Sequence, residues 1–195
     1  MTEIALFPLK TVLFPGGPLP LRIFEPRYLA MVSRCLTEQE GFGVLLIKDG
    51  SEVGEAETHD VGTIANIVDW HQESDGLLGI KGLGADRFRV HSVERQPDGL
   101  YTGRVELLEP EEPAEMTEEF RSLQRLLKNI LAQLDEHYGG ISKTYDDATW
   151  VGYRLAELLP LPMATRQIML EMSDPIRRLG MLLPHADDVA VRASS

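Results

Sequence analysis

The spacing of apolar residues changes once along the chain, at the acidic, proline-bearing stretch Glu109-Pro110-Glu111-Glu112-Pro113-Ala114-Glu115, and that change limits the fold to two parts of different kind. Before it, short segments rich in Val, Ile, Leu and Phe are interrupted repeatedly by Gly, Pro and Asp, the pattern of strands joined by tight turns. After it, apolar residues recur at steps of three and four, the period of an amphipathic helix. The expected fold class is α+β: an N-terminal twisted β-barrel or sheet with one packed helix over residues 1–112, then a C-terminal four-helix bundle with a short tail over residues 113–195.

Within the first part, residues 61–70 and 77–81 flank Ser74-Asp75-Gly76, and residues 88–94 and 100–108 flank Pro97-Asp98-Gly99. Two Asp-Gly hairpins follow, with glycine supplying the positive φ that such turns need. Residues 42–48 form another apolar run, and the acidic stretch 51–60 reads as a solvated loop. Glu25-Pro26-Arg27-Tyr28 opens a helix whose positions Tyr28, Leu29, Val32, Cys35 and Leu36 keep one apolar face. In the second part, Thr117 is placed to cap a helix with Phe120, Leu123, Leu127, Ile130, Leu134 and Tyr138 on one side, stopped by Gly139-Gly140. A second helix is predicted over 147–159, burying Trp150, Val151, Leu155, Leu158 and Leu159, and a third over 163–171. The fourth opens at Asp174-Pro175, turns Ile176, Leu179 and Leu183 inward and closes at Pro184, leaving 185–195 to fray.

Chemistry is excluded class by class. Lys plus Arg is 19 against 31 Asp plus Glu, a net charge of −12 that repels phosphates and disfavours a general nucleic-acid binder. The single cysteine, Cys35, forms no intrachain disulfide, which suits a reducing cytoplasm, and its place on an apolar face makes it a buried hydrophobe. There is no basic-then-apolar leader and no apolar run near the roughly 20 residues that span a bilayer, so a cytoplasmic, non-membrane protein is expected. His59, His71, His91, His137 and His185 are scattered, so no metal is expected. No Gly-x-Ser-x-Gly elbow or Walker loop appears, and no catalytic residue or cofactor is expected. Gly79, Gly82 and Gly84 resemble a phosphate loop only superficially, since Arg87 and another apparent strand follow them; a bulge or barrel corner fits better. Asp146-Asp147 and Asp187-Asp188 read as caps and solvated charge. A chain with this profile suits a binding module.

One resemblance sharpens that reading. Leu6-Phe7-Pro8-Leu9, Val12-Leu13-Phe14-Pro15-Gly16, Leu19-Pro20-Leu21 and Ile23-Phe24-Glu25-Pro26-Arg27-Tyr28 resemble the opening of the N-terminal substrate-binding domain of Lon proteases, and the Phe-Glu-Pro-Arg-Tyr form resembles stand-alone members and the related domain of cereblon. Val61-Gly62-Thr63-Ile64-Ala65, Gly84 with Arg87, Leu161-Pro162, Arg166-Gln167, Leu170-Glu171-Met172-Ser173-Asp174 and Arg178-Leu179 follow in order, so the resemblance covers residues 4–183. It implies a PUA-like barrel followed by a small helical bundle, and a role in holding unfolded or degron-bearing polypeptide without the ATPase and the serine-lysine peptidase parts of Lon. Pro8, Pro15, Pro20 and Pro26 would fix turns and strand edges, Gly62 and Gly84 would permit bends, Phe14 and Phe24 would fill the barrel, and Glu25 and Arg27 would pair or cap locally. Tyr28, Trp70 and Trp150 are the peptide-binding candidates, because aromatics carry large contact area at small entropy cost. The leading expectation is a non-enzymatic module that recognises polypeptide through an apolar surface between barrel and bundle. RNA binding is the alternative, since PUA-like barrels elsewhere hold RNA and Arg87, Arg89, Arg95 and Arg104 lie on one predicted hairpin. Autonomous peptidase activity ranks last.

Overall fold

In a computed structural model that describes residues 1–52, 56–134, 138 and 140–193, the chain divides into two units, residues 1–110 and the chain from Glu111 onward. The first unit contains β1 (Thr2–Leu9), β2 (Pro18–Ile23), α1 (Pro26–Glu38), β3 (Phe42–Gly50), β4 (Ala56–Thr58), β5 (Val61–Gln72), β6 (Leu78–Arg95) and β7 (Tyr101–Leu107). Its sheet runs β1-β7-β6-β5-β3 and closes into a ring through a parallel β1–β3 pairing; every other pairing is antiparallel. The class is therefore α+β, as the change of periodicity predicts.

The stretch read from sequence as two strands, 77–81 and 88–94, is one strand of 18 residues. Its first half, residues 78–83, lies between β2 and β5, and its second half pairs with β7. Gly84 sits at the change of partner. Gly16 N–H donates to Gly84 O at 2.8 Å and Gly84 N–H donates to Gly17 O at 2.8 Å, so the loop after β1 lies backbone to backbone on β6. A Cβ on Gly84 would collide with the Phe14 carbonyl, which explains this glycine without any phosphate. The same loop is fastened from the other side by Thr63, whose hydroxyl donates to Leu13 O at 2.6 Å, and it drives Phe14 fully out of solvent.

Both Asp-Gly turns form as the sequence predicts, with Gly76 and Gly99 at φ of 86° and 87°. The acidic stretch 51–60 is not all loop: β4 pairs with β3, and residues 53–55 lie outside the described residues. α1 starts with Pro26 in its first turn and buries Tyr28, Met31, Val32 and Cys35 against Phe7, Leu13, Phe42 and Ile80. Leu29 and Leu36 fall at the rim of that face and stay partly exposed. Phe24, expected inside, is 59% exposed, because β2 ends at Ile23 and the chain turns there into the helix.

The second unit begins with a tight 3-10 turn at Glu118–Phe120 and continues through α2 (Arg121–Gln133), α3 (Ala148–Leu158), α4 (Met163–Glu171) and α5 (Pro175–Ala193). Thr117 contributes its carbonyl rather than its hydroxyl, accepting from Phe120 N–H at 3.1 Å, because the first turn is too tight for a side-chain cap. Of the predicted stop after α2, Gly139 lies outside the described residues, as does His137. Asp147 caps α3 by accepting from Thr149 N–H at 2.9 Å, and Asp174 caps α5 by accepting from Arg177 N–H at 2.9 Å. α5 does not close at Pro184 but continues to Ala193. An interior proline costs about 3 kcal/mol or more, and burial of Leu182 and Ala186 on either side of it favours continuation. Ile176, expected inward, is 39% exposed, and Arg178 occupies the inward position beside Leu179. Among the described residues no helix is long and apolar enough to cross a membrane.

Gly84 and Gly82 separate steric necessity from tolerance on the same strand, since a Cβ on Gly82 would meet its nearest neighbours at 3.4 Å. Gly84→Ala is expected to lower the stability of the first unit by about 2 kcal/mol or more, and Gly82→Ala by less than about 1 kcal/mol, as urea midpoints at unchanged slope.

Candidate functional site

Two clusters of buried charge invite a catalytic reading, and geometry makes both structural. Arg178, fully buried, donates to both carboxylate oxygens of Glu111 at 2.9 and 2.6 Å, to Met169 O at 3.0 Å and to Met172 O at 2.8 Å. Its guanidinium lies 4.1 Å over the ring of Tyr153, whose hydroxyl donates to the same Glu111. This clasp ties the first residue of the second unit to three helices, which is why Glu111 belongs with the helices rather than with the strands. In the other cluster, Arg154 lies 3.0 Å from Glu157, which also accepts from the Tyr138 hydroxyl at 2.6 Å. Burial pushes Glu157 and Tyr138 up and Arg154 down, each toward its neutral form. Among the described residues no group of His, Cys, Asp and Glu is placed to hold a metal ion.

Cys35 is buried, and burial pushes its thiol up, away from the reactive thiolate. Glu25 and Arg27 pair at 2.8 Å, and Arg27 also donates to Gly99 O at 2.8 Å and Glu52 O at 3.2 Å. The Phe-Glu-Pro-Arg-Tyr stretch is thus an anchor joining the start of α1 to the β6–β7 turn and to the segment after β3.

The three aromatic candidates have different surroundings. Tyr28 is a core residue: its ring stacks on Phe7 at 3.8 Å, and burial pushes its hydroxyl up to about 12. Trp150 is half-buried, edge-on to Tyr145 at 5.4 Å, and Lys128 lies 5.1 Å over the Tyr145 ring. The open groove beside Tyr145 mixes Lys128 and Lys143 with Glu115, Asp146 and Asp147, charges of both signs. Trp70, in the other unit, is 60% exposed.

The surroundings of Trp70 follow from strand register. Opposed residues in an antiparallel ladder share a face. Leu21, Ile80 and Trp70 form one such row across β2, β6 and β5, and Ile23, Leu78 and Gln72 form the next. Ile80 and Ile23 are core residues, while Leu21 and Leu78 pack against the core half-buried. One apolar face therefore starts inside the unit and emerges at Trp70. Val68, at the bulge between Ile67 and Asp69, adds a second exposed apolar side chain on the same strand. The opposite face is polar, with Arg22, Lys81, Asp69 and His71. The arginines proposed for RNA make no continuous strip: Arg87 is 4% exposed, and Arg89 stands opposite Glu106, which also lies 3.0 Å from His91.

Over residues 3–188 the chain matches the family model of the ATP-dependent protease La (LON) substrate-binding domain. The chain belongs to the Lon substrate-binding domain family. The crystal structure of the Lon N-terminal domain protein from Xanthomonas campestris is 38% identical, with a TM-score of 0.79 over 94% of this chain and 98% of that one. Lon protease 2 of Myxococcus xanthus is 25% identical over 190 residues, 92% of this chain and 23% of the relative. Cereblon of Danio rerio is 32% identical over 100 residues, 50% of this chain and 23% of the relative. The chain thus spans about a quarter of the length of the curated relatives it matches. What matches is the non-catalytic Lon N-terminal domain alone.

Arg178→Met removes one half of a buried pair and leaves the Glu111 carboxylate buried without it, so a loss of about 3–5 kcal/mol is expected in urea unfolding followed by helical circular dichroism. Cys35 is expected to resist iodoacetamide in the folded chain and to react once urea unfolds it.

Proposed function

We propose that this Lon substrate-binding domain holds non-native polypeptide on the apolar face that ends at Trp70, and neither cuts nor fuels what it holds. The observation that carries the reading is a tryptophan left 60% exposed at the end of a row that begins in the core. A large apolar side chain there costs solubility unless something covers it, and tryptophan is the residue most enriched where binding energy concentrates. The family's substrate-binding description supports the same reading. RNA fits less well, given a net charge of −12 and an arginine set broken by burial and by Glu106.

The test is fluorescence anisotropy with a labelled model protein that has been reduced, blocked with iodoacetamide and so kept unfolded, beside the same protein folded. The unfolded form is expected to bind and the folded form not; Trp70→Ala is expected to weaken binding about fivefold or more while leaving stability within about 0.5 kcal/mol. Equal binding to both forms, or to neither, overturns the proposal, and displacement of the bound polypeptide by a single-stranded RNA oligonucleotide points instead to a phosphate ligand.

A further inference from the structure

The strand that carries Trp70 also carries open backbone. Glu73 N–H donates to Leu77 O at 2.8 Å across the β5–β6 turn, and this bond sets the phase of the ladder behind it. Hydrogen-bonded and non-hydrogen-bonded pairs alternate in an antiparallel ladder. Counting back by twos makes His71 with Gly79 and Asp69 with Lys81 the bonded pairs, so Trp70 and Gln72 turn their N–H and C=O groups away from β6. On that side β3 pairs with β5 only at Thr63, Ile64 and Ala65, and among the described residues no strand covers 67–72. The Trp70 N–H confirms the phase: it donates to the carboxylate of its own neighbour Asp69 at 2.8 Å, as only an N–H pointing off the ladder can.

The opposite edge of this three-stranded flap has lost most of its donors. The same phase, carried across β6, makes Leu19, Leu21 and Ile23 the residues of β2 that bond to β6, and leaves Pro18, Pro20 and Arg22 facing outward. Two of those three outward positions have no N–H at all, the usual way of blunting an exposed edge. The β5 edge has no proline. Its guards are the bulge beside Val68 and the Asp69 carboxylate on the Trp70 N–H, and the second is reversible.

We infer that the β5 edge at Trp70 and Gln72 accepts an extended polypeptide as an added antiparallel or parallel strand, with apolar guest residues on the Trp70 face alternating with basic ones on the Asp69 face. Outward N–H donors alternating with C=O acceptors in strand phase are matched in full by the backbone of another strand. The alternation follows from the two faces: Trp70 offers apolar surface on one, whereas the other carries Asp69, opposite Lys81, and Glu73, 3.0 Å from His71 Nε2, in a chain of net charge −12. A guest carbonyl replaces Asp69 on the Trp70 N–H and releases that carboxylate to the guest's basic side chain. A second copy of the chain fits less well, because β5 against β5 sets Asp69 and Glu73 of both copies side by side. Backbone pairing at two residues is short and tolerant of sequence, which suits a domain that meets many unfolded chains. The inference rests on the polypeptide-binding reading above and specifies its mode.

The test uses the full chain and a fluorescein-labelled peptide of alternating valine and lysine, together with the same peptide N-methylated on alternate residues in either phase. The parent peptide is expected to bind; N-methylation in one phase and replacement of lysine by glutamate are each expected to weaken binding about tenfold or more. Gln72→Pro, which repeats on β5 what Pro20 does on β2, is expected to weaken it similarly. If both N-methylated peptides bind as well as the parent, strand addition is refuted while polypeptide binding stands. If the unfolded model protein binds and the alternating peptide does not, the inference falls alone; if neither binds, both fall. Concentration-dependent dimerisation abolished by Gln72→Pro would assign the edge to a second copy and overturn it.

Discussion

The first unit depends on a backbone-to-backbone contact between Gly84 and residues 16 and 17. An 18-residue strand is too long for one side of a small ring, so β6 must change partners along its length. The contact at Gly84 marks that change and holds the loop that plugs the unit with Phe14. On one side of it β6 belongs to the ring that the parallel β1–β3 pairing closes. On the other it becomes the middle of a flap of three strands, whose outer edges have to be managed by their own residues. Prolines manage one edge, and a bulge with an aspartate manages the other.

Charge works differently in the two units. In the first, Arg27 is an anchor that joins the helix start to two loops through carbonyls and Glu25. In the second, Arg178 is buried at the meeting of three helices, and its cost of burial is offset by a bidentate carboxylate, two carbonyls and an aromatic face. Such an arrangement specifies one packing of the helices, because no other side chain there supplies a fork of donors to match it. The reactive look of these clusters thus comes from packing.

Much of this is written in the order of residues. Both Asp-Gly turns, the start of α1 at Pro26 and the span of α4 all follow from turn chemistry and apolar spacing, because each is decided within a few residues. What was hidden depends on partners far along the chain. Gly79, Gly82 and Gly84 look like punctuation, yet they lie within one strand whose continuity comes from β2 and β5 on either side. Pro184 looks like a stop, yet packing carries α5 past it. The burial of Arg178 depends on Glu111, 67 positions earlier, which holds it. Tyr28 and Trp70 are equal candidates as aromatics, and only the stack on Phe7 and the register with Ile80 separate core from surface. The open edge itself has no signature, since it needs both the hairpin phase and the point where β3 stops.

Amide hydrogen exchange, resolved residue by residue with and without a saturating unfolded polypeptide, tests the central claim most directly. Bound polypeptide is expected to slow exchange at Gln72 about tenfold or more and to leave Asp69 and His71, already bonded to β6, unchanged. Unaltered exchange at Trp70 and Gln72, with protection confined to other parts of the chain, would contradict it.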